Sequence, residues 1–145
     1  MEVLRACVAV LNWSKTKIVM VRHVEKEKQY WTLPGGGVER NEAPEQTAAR
    51  EAEEETGLVI RIEKMLFDEE LQTRTGVGIC RCFLGKKKWL SFVKKGFDPE
   101  EANLHESQRM LQQVKWQRID AFKDDQQVAK VIESLGMAVH REKNF

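Results

Sequence analysis

The chain alternates between short apolar runs and charged, glycine-bearing breaks, and these runs predict its elements in order. Residues 3–11 (VLRACVAVL) are rich in apolar and β-branched types and predict a strand buried on at least one face. Residues 12–16 (NWSKT) predict a turn, and 17–24 (KIVMVRHV) a second strand, expected to pair with the first as a hairpin. A charged loop at 25–29 and a short strand at 30–33 lead into three consecutive glycines, Gly35, Gly36 and Gly37. The next segment predicts a helix over 44–56. Pro44 suits its first position, Ala48, Ala49 and Ala52 are strong helix formers, and Gly57 suits a left-handed cap.

The second half of the chain continues the pattern. Residues 59–72 alternate at Val59, Ile60 and Ile62 and then lose the period, which predicts a strand in the first half and a bend or bulge near Met65. Residues 76–84 predict another strand, 89–93 a short strand or part of an insertion, and 94–108 a long functional loop. Residues 114–119 predict the last strand. Residues 120–136 predict a second helix, capped by Asp124 or Asp125, with Val128, Val131, Ile132 and Leu135 as its core stripe and Gly136 at its end. The tail, 137–145, predicts irregular structure. Strands interrupted by one helix and closed by another predict an α/β fold, a sheet between two helices. No linker, repeat or low-complexity segment divides the 145 residues, so one domain over 1–145 is expected.

Composition narrows the function classes. The net charge is +1, so nothing global argues for nucleic acid or a membrane surface as partner. No apolar run approaches the length of a membrane span, and the N-terminus lacks the pattern of a secretory signal. The three cysteines, Cys7, Cys80 and Cys82, include no CxxC and read as reduced thiols acting as small buried hydrophobes. The cytoplasm is the expected compartment.

The chemistry concentrates on the first helix. Glu51, Glu54 and Glu55 fall at i, i+3 and i+4, which puts three carboxylates on one helix face. Three like charges there repel, and a bound hard dication relieves that; Mg²⁺ takes carboxylates, waters and substrate phosphates as ligands. The glycines before the helix let backbone N–H groups come close to an anion. Carboxylates beside a glycine-rich turn predict a metal-assisted phosphate site.

The same residues carry a resemblance. The Nudix hydrolase signature, G-x5-E-x7-R-E-U-x-E-E-x-G-U, is matched here by Gly36, Glu42, Arg50, Glu51, Ala52, Glu54, Glu55, Gly57 and Leu58. The one departure is Ala52, smaller than the usual bulky aliphatic. The order of strands and helices is also similar to that family's fold, a three-layer α/β/α sandwich on a central mixed β-sheet. The resemblance implies metal-dependent hydrolysis of the pyrophosphate bond in a nucleoside diphosphate linked to a moiety X, giving a nucleoside monophosphate and phosphorylated X. It implies Mg²⁺, with Mn²⁺ as substitute, held by Glu51, Glu54, Glu55 and the carbonyl of Gly37. Arg50 could contact a phosphate, but the preferred reading has its guanidinium orient the ligating carboxylates through bidentate bonds, with Glu42 anchoring the loop to the helix.

Members draw the general base from the box or from a distant loop; here the loop offers Glu100, Glu101, His105 and Glu106, of which Glu106 is the choice. Members often carry Glu before the V-x-W pair of the last strand, where this chain has Gln113, Val114 and Trp116. Arg22, Gly35, Gly36, Trp31 and Phe97 are the candidate substrate contacts. The GFDPE loop, the V-x-W strand and the closing helix resemble the small branch of ADP-ribose pyrophosphatases and nucleotide-pool sanitising enzymes. The expected substrate is therefore ADP-ribose or a (deoxy)nucleoside triphosphate such as 8-oxo-dGTP. The alternative is a catalytically silent Nudix-fold nucleotide sensor, although such modules usually lose box glutamates. Many members pair as dimers, which makes a homodimer a candidate assembly.

Overall fold

The structure is a computed structural model that describes residues 1–88 and 111–138, with side chains except those of residues 111 and 112. Its elements in chain order are β1 (Val3–Val10), β2 (Lys17–Glu25), β3 (Lys28–Thr32), β4 (Gly35–Gly37), α1 (Pro44–Thr56), β5 (Ile60–Thr73), β6 (Gly76–Lys87), β7 (Leu111–Arg118), a 3-10 turn (Ile119–Phe122) and α2 (Gln126–Leu135). The strands form a mixed four-stranded sheet, β4-β1-β6-β5, and an antiparallel three-stranded sheet, β3-β2-β7.

β1 is the centre because it is apolar on both faces, as a strand covered on both sides must be. Ala6, Val8 and Val10 pack with Ala48 and Ala52 of α1 and with Phe83. Cys7 and Ala9 point the other way and pack with Val128 and Val131 of α2, Ile18, Met20 and Cys82. The result is the expected α/β sandwich, with a central mixed sheet between two helices. Ile132 and Leu135 complete the α2 stripe at the edge of that core. All three cysteines are free and buried.

Four expectations change. The hairpin of the first two strands does not form: β1 pairs with β4 and, in parallel, with β6, while β2 pairs with β3 and β7. Only an isolated bridge, Leu11 to Ile18, joins the first two strands. Turn residues 12–16 permit a hairpin, but the double-sided burial of β1 is satisfied only inside the mixed sheet. The strand expected over the first half of 59–72 continues to Thr73, because two irregularities, at Ile62/Lys64 and Met65/Phe67, shift which side chains face the core without ending the ladder. The charged loop at 25–29 shrinks to a tight turn in which Lys26 takes φ 55°.

The second helix also starts later than residue 120. Asp125 Oδ1 accepts from the N–H groups of Gln127 and Val128, both at 3.0 Å, so the helix begins at Gln126. It ends at Gly136, which takes φ 61°. The expected elements at 89–93 and 94–108 lie outside the described residues. Among those residues no helix is long and apolar enough to cross a membrane.

Candidate active site

Helix α1 starts without an oxygen-bearing cap. Ala43 has no side-chain acceptor, but the Gln46 side chain reaches back and accepts from the Ala43 N–H at 2.8 Å. Pro44 occupies the first turn, and Gly57 closes the helix at φ 80° with its N–H on the Glu53 carbonyl at 2.9 Å. Ala48 and Ala52 are buried against the sheet. Ala52 is 1% exposed, so a small side chain at this position lets the helix lie close to β1. That closeness carries Glu55, one helical turn after Ala52, into the interior.

The three box carboxylates therefore occupy unlike environments. Glu54 is on the rim, its side chain 39% exposed, while Glu51 is 19% exposed. Glu55 is buried, and its Oε2 has no hydrogen-bond partner. Burial, then the neighbouring charge and hydrogen bond of Glu51, push the Glu55 carboxyl up to about 9. Burial also raises Glu51. In the metal-free protein at neutral pH the two carboxyls thus share a proton, as like charges held together in a low dielectric must.

The glycines work differently from the expected turn. Gly35–Gly37 is a short strand paired to β1, with Gly35 opposite Cys7, Gly36 opposite Ala6 and Gly37 opposite Arg5. The Gly35 backbone N–H favours the charged Glu55 carboxylate, against the effect of burial. A Cβ on Gly36 would collide with the Glu51 carboxylate. The anion approached by this backbone is the protein's own pair of carboxylates. Gly36 is buried beneath Glu51, whereas Gly35 is half-buried. Gly37 is exposed, with no atom nearer to an added Cβ than the Leu4 carbonyl at 3.9 Å.

Arg50 ties the cluster together. Its Nε and Nη2 bond Glu42 at 2.8 and 3.0 Å, and its Nη1 reaches Glu51 at 3.0 Å and Glu54 at 3.3 Å. Thr47, buried in α1, donates its hydroxyl to Glu42 at 2.6 Å. The Arg50 bonds, outweighing a smaller cost of burial, pull the Glu42 carboxyl down to about 2. Thr47 was not among the sequence candidates; a Thr five residues after Glu42, at the first turn of the helix, is the signal that could have found it.

Among the described residues no three His, Cys, Asp or Glu side chains are gathered tightly enough to cage an ion alone. Arg50 draws Glu54 aside, and Glu51 and Glu55 hold each other through a proton. The donor set nevertheless suits a hard dication. Two adjoining carboxylates with an unpartnered buried oxygen offer part of a coordination sphere, and Mg²⁺ completes such spheres with water and phosphate. A divalent ion there would replace the shared proton.

The remaining candidates scatter. Trp31 is half-buried against the α2-side core, and Arg22 sits opposite it across the β2–β3 ladder. Tyr30 stacks on His23 with ring centroids 5.1 Å apart, and His23 Nε2 lies 2.8 Å from the Thr32 hydroxyl. Glu106, Phe97, Glu100, Glu101 and His105 lie outside the described residues. A cavity of about 610 Å³ beside the box is lined by Val38, Glu39, Arg40, Glu42 and Pro44 among others. Another of about 550 Å³, lined by Lys15, Lys17 and Arg118, lies at the opposite end of β2 from Arg22 and contains none of the box residues.

The family model of the NUDIX domain matches residues 2–135. This chain belongs to the NUDIX family. Membership makes it a pyrophosphohydrolase by class, and Nudix hydrolases generally require a divalent cation. A search of curated proteins returns no match. Among solved structures this Nudix chain is similar to a NUDIX hydrolase from Nitrosomonas europaea, with 19% identity, TM-score 0.68, and coverage of 94% of this chain and 89% of that one. It is also similar to an Ap4A hydrolase from C. elegans, with 17% identity, TM-score 0.67 and coverage of 92% and 96%. The NUDIX domain of NrtR from Shewanella oneidensis, solved with ADP ribose, matches at 18% identity, TM-score 0.63 and coverage of 93% and 89%. These likenesses show the fold.

Proposed function

We propose that this Nudix protein hydrolyses the pyrophosphate bond of a nucleoside diphosphate linked to X, releasing a nucleoside monophosphate and phosphorylated X. The observation that carries the reading is the Glu51–Glu55 pair with its unpartnered buried Oε2, bordered by Glu54 and braced by Arg50. Glu51, Glu54, Glu55 and the Gly37 carbonyl would hold Mg²⁺ or Mn²⁺. When bound, the ion supplies charge neutralisation of the pyrophosphate and a more acidic water. Arg50 holds Glu51 and Glu54 in place, and Glu42 fixes Arg50 in turn. Glu106 is proposed as the base that takes the proton of the attacking water.

On the substrate side, Arg22 pairs with a phosphate, and Trp31 and Phe97 offer π-faces to the base. ADP-ribose and a (deoxy)nucleoside triphosphate of the 8-oxo-dGTP type are the two substrate classes proposed. Retention of every box glutamate and of the arginine that braces them speaks against the silent-sensor alternative. A substrate panel with Mg²⁺ and Mn²⁺ at mildly alkaline pH, with AMP, GMP and phosphate detected separately, tests the reading. Cation-dependent monophosphate release is the expected result. Nucleotide binding with no product under any cation would overturn it in favour of the sensor.

A further inference from the structure

Arg5 did not stand out in the sequence, yet the fold sets it beside the carboxylates. It lies on β1 opposite Gly37, two positions from the Gly35 partner Cys7, and on its other side opposite Cys80 of β6. Gly35 and Gly36 are the backbone against which Glu55 and Glu51 rest. Arg5 shares strand parity with Cys7 and Ala9, which face the α2-side core, but sits nearer the open end of β1 and is exposed. Its charge acts on Glu55 and also on His23 of the other sheet. Arg5 therefore lies within electrostatic range of groups on both sides of β1.

Arg5 is also uncommitted. Arg50, Arg81 and Arg118 are engaged by carboxylates at 3.0 Å or less. The Arg5 guanidinium has no hydrogen bond or ion pair among the described residues. On the second sheet, Arg22 keeps a buried Nε without a partner and makes one long bond, Nη1 to Gln29 Oε1 at 3.4 Å. The adjacent His23 is held below its ordinary value by burial and then by Arg5, so it adds no charge there at neutral pH. Arg5 on the first sheet and Arg22 on the second are thus both arginines with donors to spare among the described residues.

We infer that Arg5 is a substrate-binding residue of this site, its guanidinium taking the oxygens of a phosphate group of the bound nucleotide, with Arg22 as a second arm from the other sheet. A guanidinium presents paired donors that match a phosphate, and among the described residues no existing ion pair has to break first. The inference rests on the hydrolase reading for the identity of the ligand. It deepens that reading by bringing β1, outside the signature, into substrate recognition.

The test compares wild type with Arg5→Ala and Arg5→Lys in the full chain. Binding of a non-hydrolysable α,β-methylene nucleotide is measured by calorimetry with EDTA present, and KM and kcat are measured on whichever nucleotide the wild type cleaves. Arg5→Ala should weaken binding and raise KM by about tenfold or more, the scale of a lost hydrogen bond to a charged group. kcat should move far less than KM. Arg5→Lys should recover part of the affinity, because the charge remains and the paired geometry does not. Thermal midpoints of the variants should match wild type, since Arg5 makes no bond among the described residues. Unchanged Kd and KM in Arg5→Ala would overturn the inference, and so would equal loss in both variants. If wild type cleaves nothing, the hydrolase reading fails, while the analogue titration still decides the role of Arg5.

Discussion

Arg50 grips Glu42 through two parallel bonds, Nε to Oε2 at 2.8 Å and Nη2 to Oε1 at 3.0 Å, eight residues apart in the chain. A fork-to-carboxylate pair of this kind fixes direction as well as distance. The third nitrogen, Nη1, is thereby aimed at Glu51 and Glu54. Glu42 thus positions two of the proposed metal ligands without touching them.

Replacing Glu42 tests that relay. Glu42→Gln preserves shape but removes the charge that Arg50 and the Thr47 hydroxyl are bound to. Stability should fall by about 1–3 kcal/mol, the range for a partly buried hydrogen bond to a charged group, as read by urea denaturation. Mg²⁺ affinity and turnover should fall with it. The pH dependence has a defined sign. The Glu42 carboxyl is lower in the folded chain, at about 2, than its ordinary 4.5. Its contribution is present above that ordinary value and is lost as pH falls from there toward 2. Glu42→Gln should show a shallower loss of stability over that acid window.

Glu55 predicts the opposite slope. Its folded value is raised to about 9, so the folded chain holds this proton more tightly than the unfolded one. The metal-free protein keeps the full contribution of this group below about 4.5 and loses it as pH rises through about 9. Thermal scans in EDTA should therefore show a midpoint that declines across that range and flattens in Glu55→Gln. Mg²⁺ added at pH 8 should raise the wild-type midpoint and release protons, measurable in a weakly buffered titration. A wild-type curve in EDTA as flat as that of Glu55→Gln would remove this account.

Glu54 separates chemistry from stability. It stands at the rim, its side chain 39% exposed, and surface substitutions seldom shift stability by more than about 0.5 kcal/mol. Glu54→Gln should reduce turnover by several orders of magnitude with little change in denaturation midpoint. Wild-type-like turnover in this variant would contradict its assignment as a ligand.

Two neighbouring glycines give a paired comparison. In Gly36→Ala the new methyl meets the Glu51 carboxylate, whereas in Gly37→Ala it meets nothing closer than 3.9 Å. Gly36→Ala should therefore displace Glu51 and weaken Mg²⁺ binding, while Gly37→Ala should fold and bind Mg²⁺ much as wild type. Metal titrations of the two variants side by side check the expected order.

The sequence by itself determined what depends on near neighbours. Pro44, the alanines and Gly57 mark α1 because helix ends and helical propensity are local properties. Asp125, Gly136 and the stripe from Val128 to Leu135 mark α2 for the same reason. The spacing of Gly36, Glu42, Arg50, Glu51, Glu54 and Glu55 was readable as a signature because loop and helix are contiguous. Periodicity could not say which strands pair. The placement of β1 between β4 and β6, rather than against β2, came from burying both of its faces at once. The tertiary structure also decided that Glu55 is buried while Glu54 stays at the rim, since equal spacing on a helix does not tell which side meets the sheet. It likewise set Arg5 opposite Gly37 and within electrostatic range of Glu55, fifty positions away in the chain.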